Sequence, residues 1–287
     1  MNSKFKNGTF WIMAKHGANR AEKKNKSTVW YTEYCKLVPY EVKSVSEIGL
    51  TKEDVKLIGH RGFRAVAPEN TLPAYEEAGK AGFYGAECDT YRTKDGVWVV
   101  HHDPVLYRMM GVNRFIEDCT YDELMNYSYT NGHNIDKYPD LKITTLEEYY
   151  EVCKKYGMQA IVEIKYTHSL NHLDELIDIR DKYGVPTTYI AFDFENIKKL
   201  RKLCDAPLFY LVYSITSYDI ALAKTVKNCG ISYDGNNKNN HKNDCKMIKK
   251  CHLKGLETAT WAVDDLDTIN TIVICGTKFV TTNSVIY

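Results

Sequence analysis

The sequence predicts a closed (β/α)8 barrel, the TIM barrel, on three observations. Eight short runs rich in β-branched and aromatic residues recur after residue 54; amphipathic stretches of helical period lie between most of them; and the pattern fills residues 55–287, about the length one such barrel needs. The runs are VKLIGH (55–60), YGAECD (84–89), QAIVEIK (159–165), TTYIAFD (187–193), APLFYLVYS (206–214), GISYDG (230–235), LETATWAV (256–263) and KFVTTN (278–283). Helical stretches are read at 71–81, 145–156, 170–183, 195–204, 217–228, 243–254 and 266–275. Strands alternating with helices in this rhythm are parallel, because each helix is the crossover between neighbours, and eight of them suit a closed barrel better than an open doubly wound sheet.

One segment breaks the rhythm. After the second strand, TKDGVWVVHHD (93–103) carries an Asp95-Gly96 turn and a Val97 to Val100 run that read as a hairpin. Residues 106–144, rich in Tyr and Asn, read as an inserted loop at the top of that strand, the end of a barrel where function accumulates. Residues 1–54 form an N-terminal appendage outside the barrel pattern, expected to be dispensable for chemistry. Their basic run KHGANRAEKKNK (15–26) reads as a solvated loop joining two strands, with a docking patch for an anionic polymer as the alternative.

Composition excludes several classes. Hydrophobic residues at 44% and charged residues at 26% are those of a folded globular chain rather than a disordered one. Thirty-eight Lys and Arg against 37 Asp and Glu leave no global field for nucleic acid or anionic membrane. No apolar run reaches the roughly 18 residues of a transmembrane segment, and the short apolar stretch near the start does not make an export signal. A cytoplasmic location is expected, with a virion-associated or secreted one by another route left open. The nine cysteines are odd in number, scattered and never in a CxxC pair, so they are expected as buried thiols rather than a disulfide framework. Cys245, Cys251 and His252, with His241 nearby, lack the usual zinc spacing.

The chemistry lies at the carboxyl ends of the first three strands. His60 and Arg61 close the first. Glu87 and Asp89 close the second and Glu163 and Lys165 the third, each pair at i, i+2 and therefore on one face of its strand. Both pairs sit in apolar surroundings, where an unpaired charge costs several kcal/mol. A lone carboxylate there can simply pair with a Lys or Arg. Three carboxylates converging on one point, Glu87, Asp89 and Glu163, instead make an oxygen site for a hard divalent cation, Ca²⁺ or Mg²⁺.

In order along the chain, His60-Arg61-Gly62, Pro68-Glu69-Asn70-Thr71, Glu87-x-Asp89, the hairpin with Val99-Val100 and His102-Asp103, Glu163-x-Lys165 and the GLETATWAV strand resemble the glycerophosphodiester phosphodiesterase family. The resemblance implies a metal held by Glu87, Asp89 and Glu163, His60 and His102 as an acid/base pair, and Arg61 and Lys165 on the phosphate. Glu69 and Asn70 would support these groups, and Trp261 would line the substrate pocket, a packed core aromatic being the alternative. His101, adjacent to His102, is expected to be structural. Two positions depart from the family pattern: Asn283 stands where an acid is usual, and Ala262 replaces a hydroxyl residue in the Trp-containing segment. These bear on substrate fit.

The implied reaction is metal-dependent hydrolysis of a glycerophosphodiester to an alcohol and sn-glycerol 3-phosphate, through water or a cyclic phosphate. Two other readings compete: a phospholipase D-like enzyme acting on lysophospholipids, and a phage or cell-surface protein that binds or cleaves polyglycerol phosphate such as teichoic acid.

Overall fold

The computed structural model describes residues 39–165, 171–236 and 241–287. Strands Lys56–Gly59 (β1), Gly85–Arg92 (β2), Gln159–Ile164 (β3), Thr187–Ala191 (β4), Leu208–Val212 (β5), Cys229–Asp234 (β6), Thr258–Trp261 (β7) and Phe279–Thr282 (β8) each pair in parallel with the next. β8 then pairs with β1, through Thr281 against Ile58 among others, and closes the barrel. All eight expected strands are present. Helices Leu72–Lys80 (α1), Leu146–Tyr156 (α2), Leu173–Tyr183 (α3), Phe194–Leu203 (α4), Ser217–Lys224 (α5), His241–Leu253 (α6) and Leu266–Ile274 (α7) supply the crossovers.

The local sequence explains where these elements start and stop. Before α2, Thr145 accepts the N–H of Glu148 while the Glu148 carboxylate accepts the N–H of Thr145, so two of the helix's orphan donors are satisfied. Lys154 and Lys155 occupy its last turn, and Gly157 ends it at φ 64°. The inner face of α2 buries Tyr149, Tyr150 and Cys153. The Tyr149 hydroxyl donates to the Ala86 carbonyl at 2.7 Å and accepts the Ile161 N–H at 2.9 Å, tying the helix to the two strands that carry the acidic residues.

Seven helices serve eight strands among the described residues. The chain preceding β1 fills the remaining place. Lys43–Ser44 pairs in parallel with Val285–Ile286, and the 3-10 turn Val45–Ile48 packs against α7 with Val45 fully buried in the main core. Within residues 39–54, expected as part of the appendage, Lys43–Ser44 and Val45–Ile48 thus pack against the barrel as a separate two-stranded sheet and turn; the expectation for residues 1–38, the basic run included, lies outside the described residues.

The hairpin is present: Trp98–Val100 runs antiparallel to the end of β2, with Thr90 opposite Val100. Residues 106–144 fold over it around a second apolar cluster that includes Tyr91, Val99, Leu106, Ile116 and Leu124. The cysteine expectation needs one correction. Cys245 of α6 and Cys275 at the end of α7 form a disulfide across a Cα separation of 5.1 Å. The two are 30 residues apart and only helix packing brings them together. Cys88, Cys119, Cys153, Cys229 and Cys251 are buried thiols, as expected.

Deleting residues 1–50 removes the Val45 side chain from the core along with its strand pair. The shortened chain is expected to lose about 2 kcal/mol or more of unfolding free energy, read from urea midpoints. An unchanged midpoint would return residues 39–50 to the status of an appendage.

Candidate active site

β1 ends at Gly59 and the chain turns sharply through His60, Arg61 and Gly62. Arg61 is left-handed at φ 56° and Gly62 at φ 77°. A Cβ on Gly62 would lie 2.6 Å from the Ala74 carbonyl carbon of α1, so the turn requires glycine there. The turn aims the Arg61 N–H at Glu87 Oε2, 2.9 Å away. Asn70 is also left-handed, at φ 54°, and is buried. Its Nδ2 donates to Asp89 Oδ2 at 2.8 Å, and its Oδ1 accepts the Tyr75 hydroxyl at 2.9 Å.

Glu87, Asp89 and Glu163 are buried and offer oxygens that all lie within 4.8 Å of one another. Lys165 Nζ bridges two of them, 2.6 Å from Asp89 Oδ1 and 2.8 Å from Glu163 Oε1. Arg61 Nε lies 3.3 Å from Asp89 Oδ2. Burial would raise the Asp89 pKa, but Lys165, His102 and Arg61 hold it well below the usual carboxylate range. Glu87 has less compensation. Burial, with the charges of Asp89 and Glu163 added, pushes it well above that range. Burial also raises Glu163 to about 7, with Lys165 offsetting part of the effect. One ammonium and one guanidinium, the latter shared with Glu69, are too little for three carboxyl groups, so Glu87 and Glu163 are shifted toward their protonated forms. With oxygen donors only, the cluster fits a hard divalent cation.

His60 and His102 both feel the charge of Asp89. His102 Nδ1 lies 2.7 Å from Asp103 Oδ1, and the Asp103 carboxylate is held by Arg108 Nε at 2.6 Å. His60 Nδ1 lies 2.7 Å from Asn283 Oδ1. The other end of that amide fixes the proton: Asn283 Nδ2 donates to Asp264 Oδ2 at 2.7 Å, and Asp264 Oδ1 accepts the Asn283 N–H and the Thr282 hydroxyl, each at 2.7 Å. An ionised carboxylate only accepts, so Asn283 turns its oxygen to His60, His60 donates from Nδ1, and its Nε2 is left unprotonated. Burial, then Arg61 and Arg64, lowers the His60 pKa well below its ordinary value. Burial, then Arg61 and Lys165, lowers His102 to about 4.

The structure brings every residue expected at the site to one end of the barrel. Glu69 is a hub: its Oε1 accepts from Arg61 Nη1 at 2.8 Å and Arg108 Nη2 at 2.6 Å, and its Oε2 pairs with Arg64 Nη2 at 2.7 Å. His101 is buried, with Nδ1 2.8 Å from the Asp103 carbonyl oxygen. Trp261 is half-buried and meets Phe192 and Tyr213 edge to face at centroid distances of 5.5 and 5.8 Å. Asp264, Arg64 and Arg108 escape the sequence reading. Arg108 belongs to the inserted loop, where no periodic pattern marks its direction. Asp264 carries a signal in the sequence, for it lies three residues after Trp261 in a segment already noted as divergent.

Fold and site together define a TIM-barrel protein with a cation-competent carboxylate cluster and two imidazoles that feel its charge. The chain belongs to the glycerophosphoryl diester phosphodiesterase family, whose profile matches residues 60–286. A phosphodiesterase from Oleispira antarctica, solved in complex with the product sn-glycerol-3-phosphate, superposes with a TM-score of 0.71 at 22% identity, covering 84% of this chain and 96% of that one. A glycerophosphodiester phosphodiesterase from Parabacteroides distasonis gives a TM-score of 0.66 at 25% identity, over 80% of this chain and 93% of the other. Among curated proteins, the uncharacterized YqiK of Bacillus subtilis is 36% identical over 110 residues, which are 38% of this chain and 45% of YqiK. Bovine glycerophosphodiester phosphodiesterase 1 is 24% identical over 262 residues, 80% of this chain and 78% of the relative. The chain spans less than half of YqiK and about a third of the mouse and human glycerophosphodiester phosphodiesterase 1.

The folded Glu163 carboxyl holds its proton up to about 7, against 4.5 for an unperturbed glutamate, so folding stability contributed by this group falls as pH rises from 4.5 to about 7. A cation binds only the deprotonated cluster, so its affinity is expected to rise through the same window with release of protons. Calorimetry with Ca²⁺ or Mg²⁺ in buffers of different ionisation enthalpy reads both; binding without proton release would reject this account of the cluster.

Proposed function

We propose that the chain hydrolyses glycerophosphodiesters to an alcohol and sn-glycerol 3-phosphate. The observation that carries the reading is the buried Glu87, Asp89 and Glu163 cluster with two imidazoles, His60 and His102, that feel the charge of Asp89, in a chain of this family. Glu87, Asp89 and Glu163 would hold the cation, Ca²⁺ or Mg²⁺ by their oxygen chemistry, and when bound it supplies positive charge to the phosphate oxygens. Arg61 and Lys165 add fixed positive charge where the phosphate's negative charge grows.

The proton chemistry follows from what each imidazole faces. His60 rests on a neutral amide and presents a bare Nε2, which suits a base taking the nucleophile's proton. His102 rests on a carboxylate that Arg108 keeps ionised; that charge works against the burial, Arg61 and Lys165 that lower the ring to about 4, and an anionic phosphate beside it would act in the same direction, which suits the acid that protonates the leaving alkoxide. A lysophospholipid is the second reading of the substrate. It is favoured by the aromatic wall of Phe192, Tyr213 and Trp261, in which Tyr213 is 54% exposed.

Product analysis on glycerophosphodiesters, lysophospholipids and polyglycerol phosphate, with and without EDTA, tests the reaction. Release of sn-glycerol 3-phosphate that EDTA abolishes is expected; full activity in EDTA would remove the metal from the reading, and no turnover of any of the three would remove the reaction.

His60→Ala and His102→Ala are each expected to lose on the order of 10²-fold or more in kcat. A p-nitrophenyl diester needs little protonation of its leaving group and should rescue His102→Ala but not His60→Ala; equal rescue would reject the division of roles. Asp264→Asn releases the Asn283 amide from one orientation and is expected to lower kcat by roughly 10-fold, with the loss concentrated in the proton-dependent limb of the pH profile.

A further inference from the structure

The barrel has a second concavity, at the end opposite the site. A cavity of about 750 Å³ opens at the amino-terminal face of the strands and runs up the lumen. Its upper wall includes Ile58, Ile161, Ala259 and Thr281, each two residues before His60, Glu163, Trp261 and Asn283 on the same strand face. The roof of the cavity is therefore the underside of the proposed catalytic layer. Barrel interiors are ordinarily filled here by bulky branched residues. On β6, β7 and β8 the lining includes Ser232, Ala259 and Thr281, small side chains that leave the lumen open on that side. Below them Gly230 admits nothing larger, since a Cβ would lie 2.5 Å from the Phe209 ring and 2.7 Å from the Glu257 carbonyl oxygen.

The lining divides by height. The interior carries Ile58, Ile161 and Ile190 deep, with the small polar Ser232 and Thr281 among them and Gln159 donating to Thr188 at 3.1 Å, and a row of rings lies below: Tyr84 to Phe279 at 5.9 Å and Phe279 to Phe209 at 6.1 Å between centroids. The mouth is basic. Lys224, Lys227 and Lys278 line it against one carboxylate, Glu257. Lys227 is 85% exposed, with Asp205 its distant partner at 3.9 Å. A shaft walled by isoleucines and rings, its Gln159 and Thr188 paired with each other, and ending in a surplus of ammonium groups matches a molecule with one hydrocarbon chain and an anionic head, and its volume is that of a small-molecule site.

We propose that this cavity binds a single-chain anionic amphiphile, tail up the lumen and head among Lys224, Lys227 and Lys278. The shared chemistry covers a fatty carboxylate and an alkyl or acyl phosphate.

The test uses the full chain and displacement of fluorescent cis-parinarate, below micellar concentrations, by dodecanoate, dodecyl phosphate and dodecanol. One-to-one binding is expected with Kd on the order of micromolar, and both anions should outcompete the alcohol. A preference for dodecanoate would assign the head to a carboxylate, a preference for dodecyl phosphate to a phosphomonoester. Ala259→Leu narrows the lumen and should abolish binding of all three ligands. Lys227→Glu with Lys278→Glu, both at the surface, should weaken the anions by roughly 10-fold and leave dodecanol unchanged. If Ala259→Leu loses its far-UV dichroism, the lysine variant decides alone. Absence of saturable binding, or equal losses for anions and alcohol in the lysine variant, would overturn the proposal. Because no turnover is measured, either outcome is independent of the proposed phosphodiesterase activity.

Discussion

Three carboxylates packed within 4.8 Å in a barrel mouth repel one another, and burial raises the cost of every charge they carry. Most of the local architecture can be read as the answer to that repulsion. Lys165 bridges Asp89 and Glu163, the Arg61 guanidinium approaches Asp89, and the Arg61 backbone is bent left-handed so that its N–H meets Glu87. The compensation is incomplete. Glu87 and Glu163 remain shifted toward the protonated form, while Asp89, the best neutralised, is shifted the other way. A cluster in this state is compatible with an added divalent cation.

Arg61, one of the two cations that neutralise the cluster, needs holding in turn, and Glu69 holds it together with Arg64 and Arg108. Arg61, Arg64 and Arg108 converge on its two oxygens. Burial would raise the Glu69 pKa, yet those three charges keep it well below the ordinary range. Removing Glu69 would leave three partly buried guanidinium groups without their common partner, a larger disturbance than loss of one surface ion pair. Through Arg108 the same hub reaches Asp103 and so the orientation of His102. The inserted loop is thereby coupled to the proposed proton chemistry although it supplies none of the carboxylates.

The two imidazoles are oriented by different devices, and the difference matters more than their similarity. His102 leans on a carboxylate one residue away in sequence. His60 leans on an amide 223 residues away, itself clamped by Asp264. Asn283, which departs from the acid usual in the family, loses no negative charge from the region, because the adjacent Asp264 supplies it one bond further from the ring. That arrangement fixes a tautomer without placing a formal charge against His60.

Strand and helix positions were legible in the sequence because a parallel barrel writes its pattern locally. Apolar runs, i, i+2 alternation and helix caps such as Thr145 with Glu148 are decided within a few residues. The same alternation placed Glu87 beside Asp89 and Glu163 beside Lys165 on common faces, and the order of motifs carried the family. What the sequence could not decide depends on contacts between distant segments. The Cys245 to Cys275 disulfide, Val45 in the core, Arg108 on Glu69 and Asp264 behind Asn283 all join parts of the chain whose local patterns are independent. Sequence periodicity fixes which face a side chain takes, whereas its partner across the barrel is set only when the ring closes.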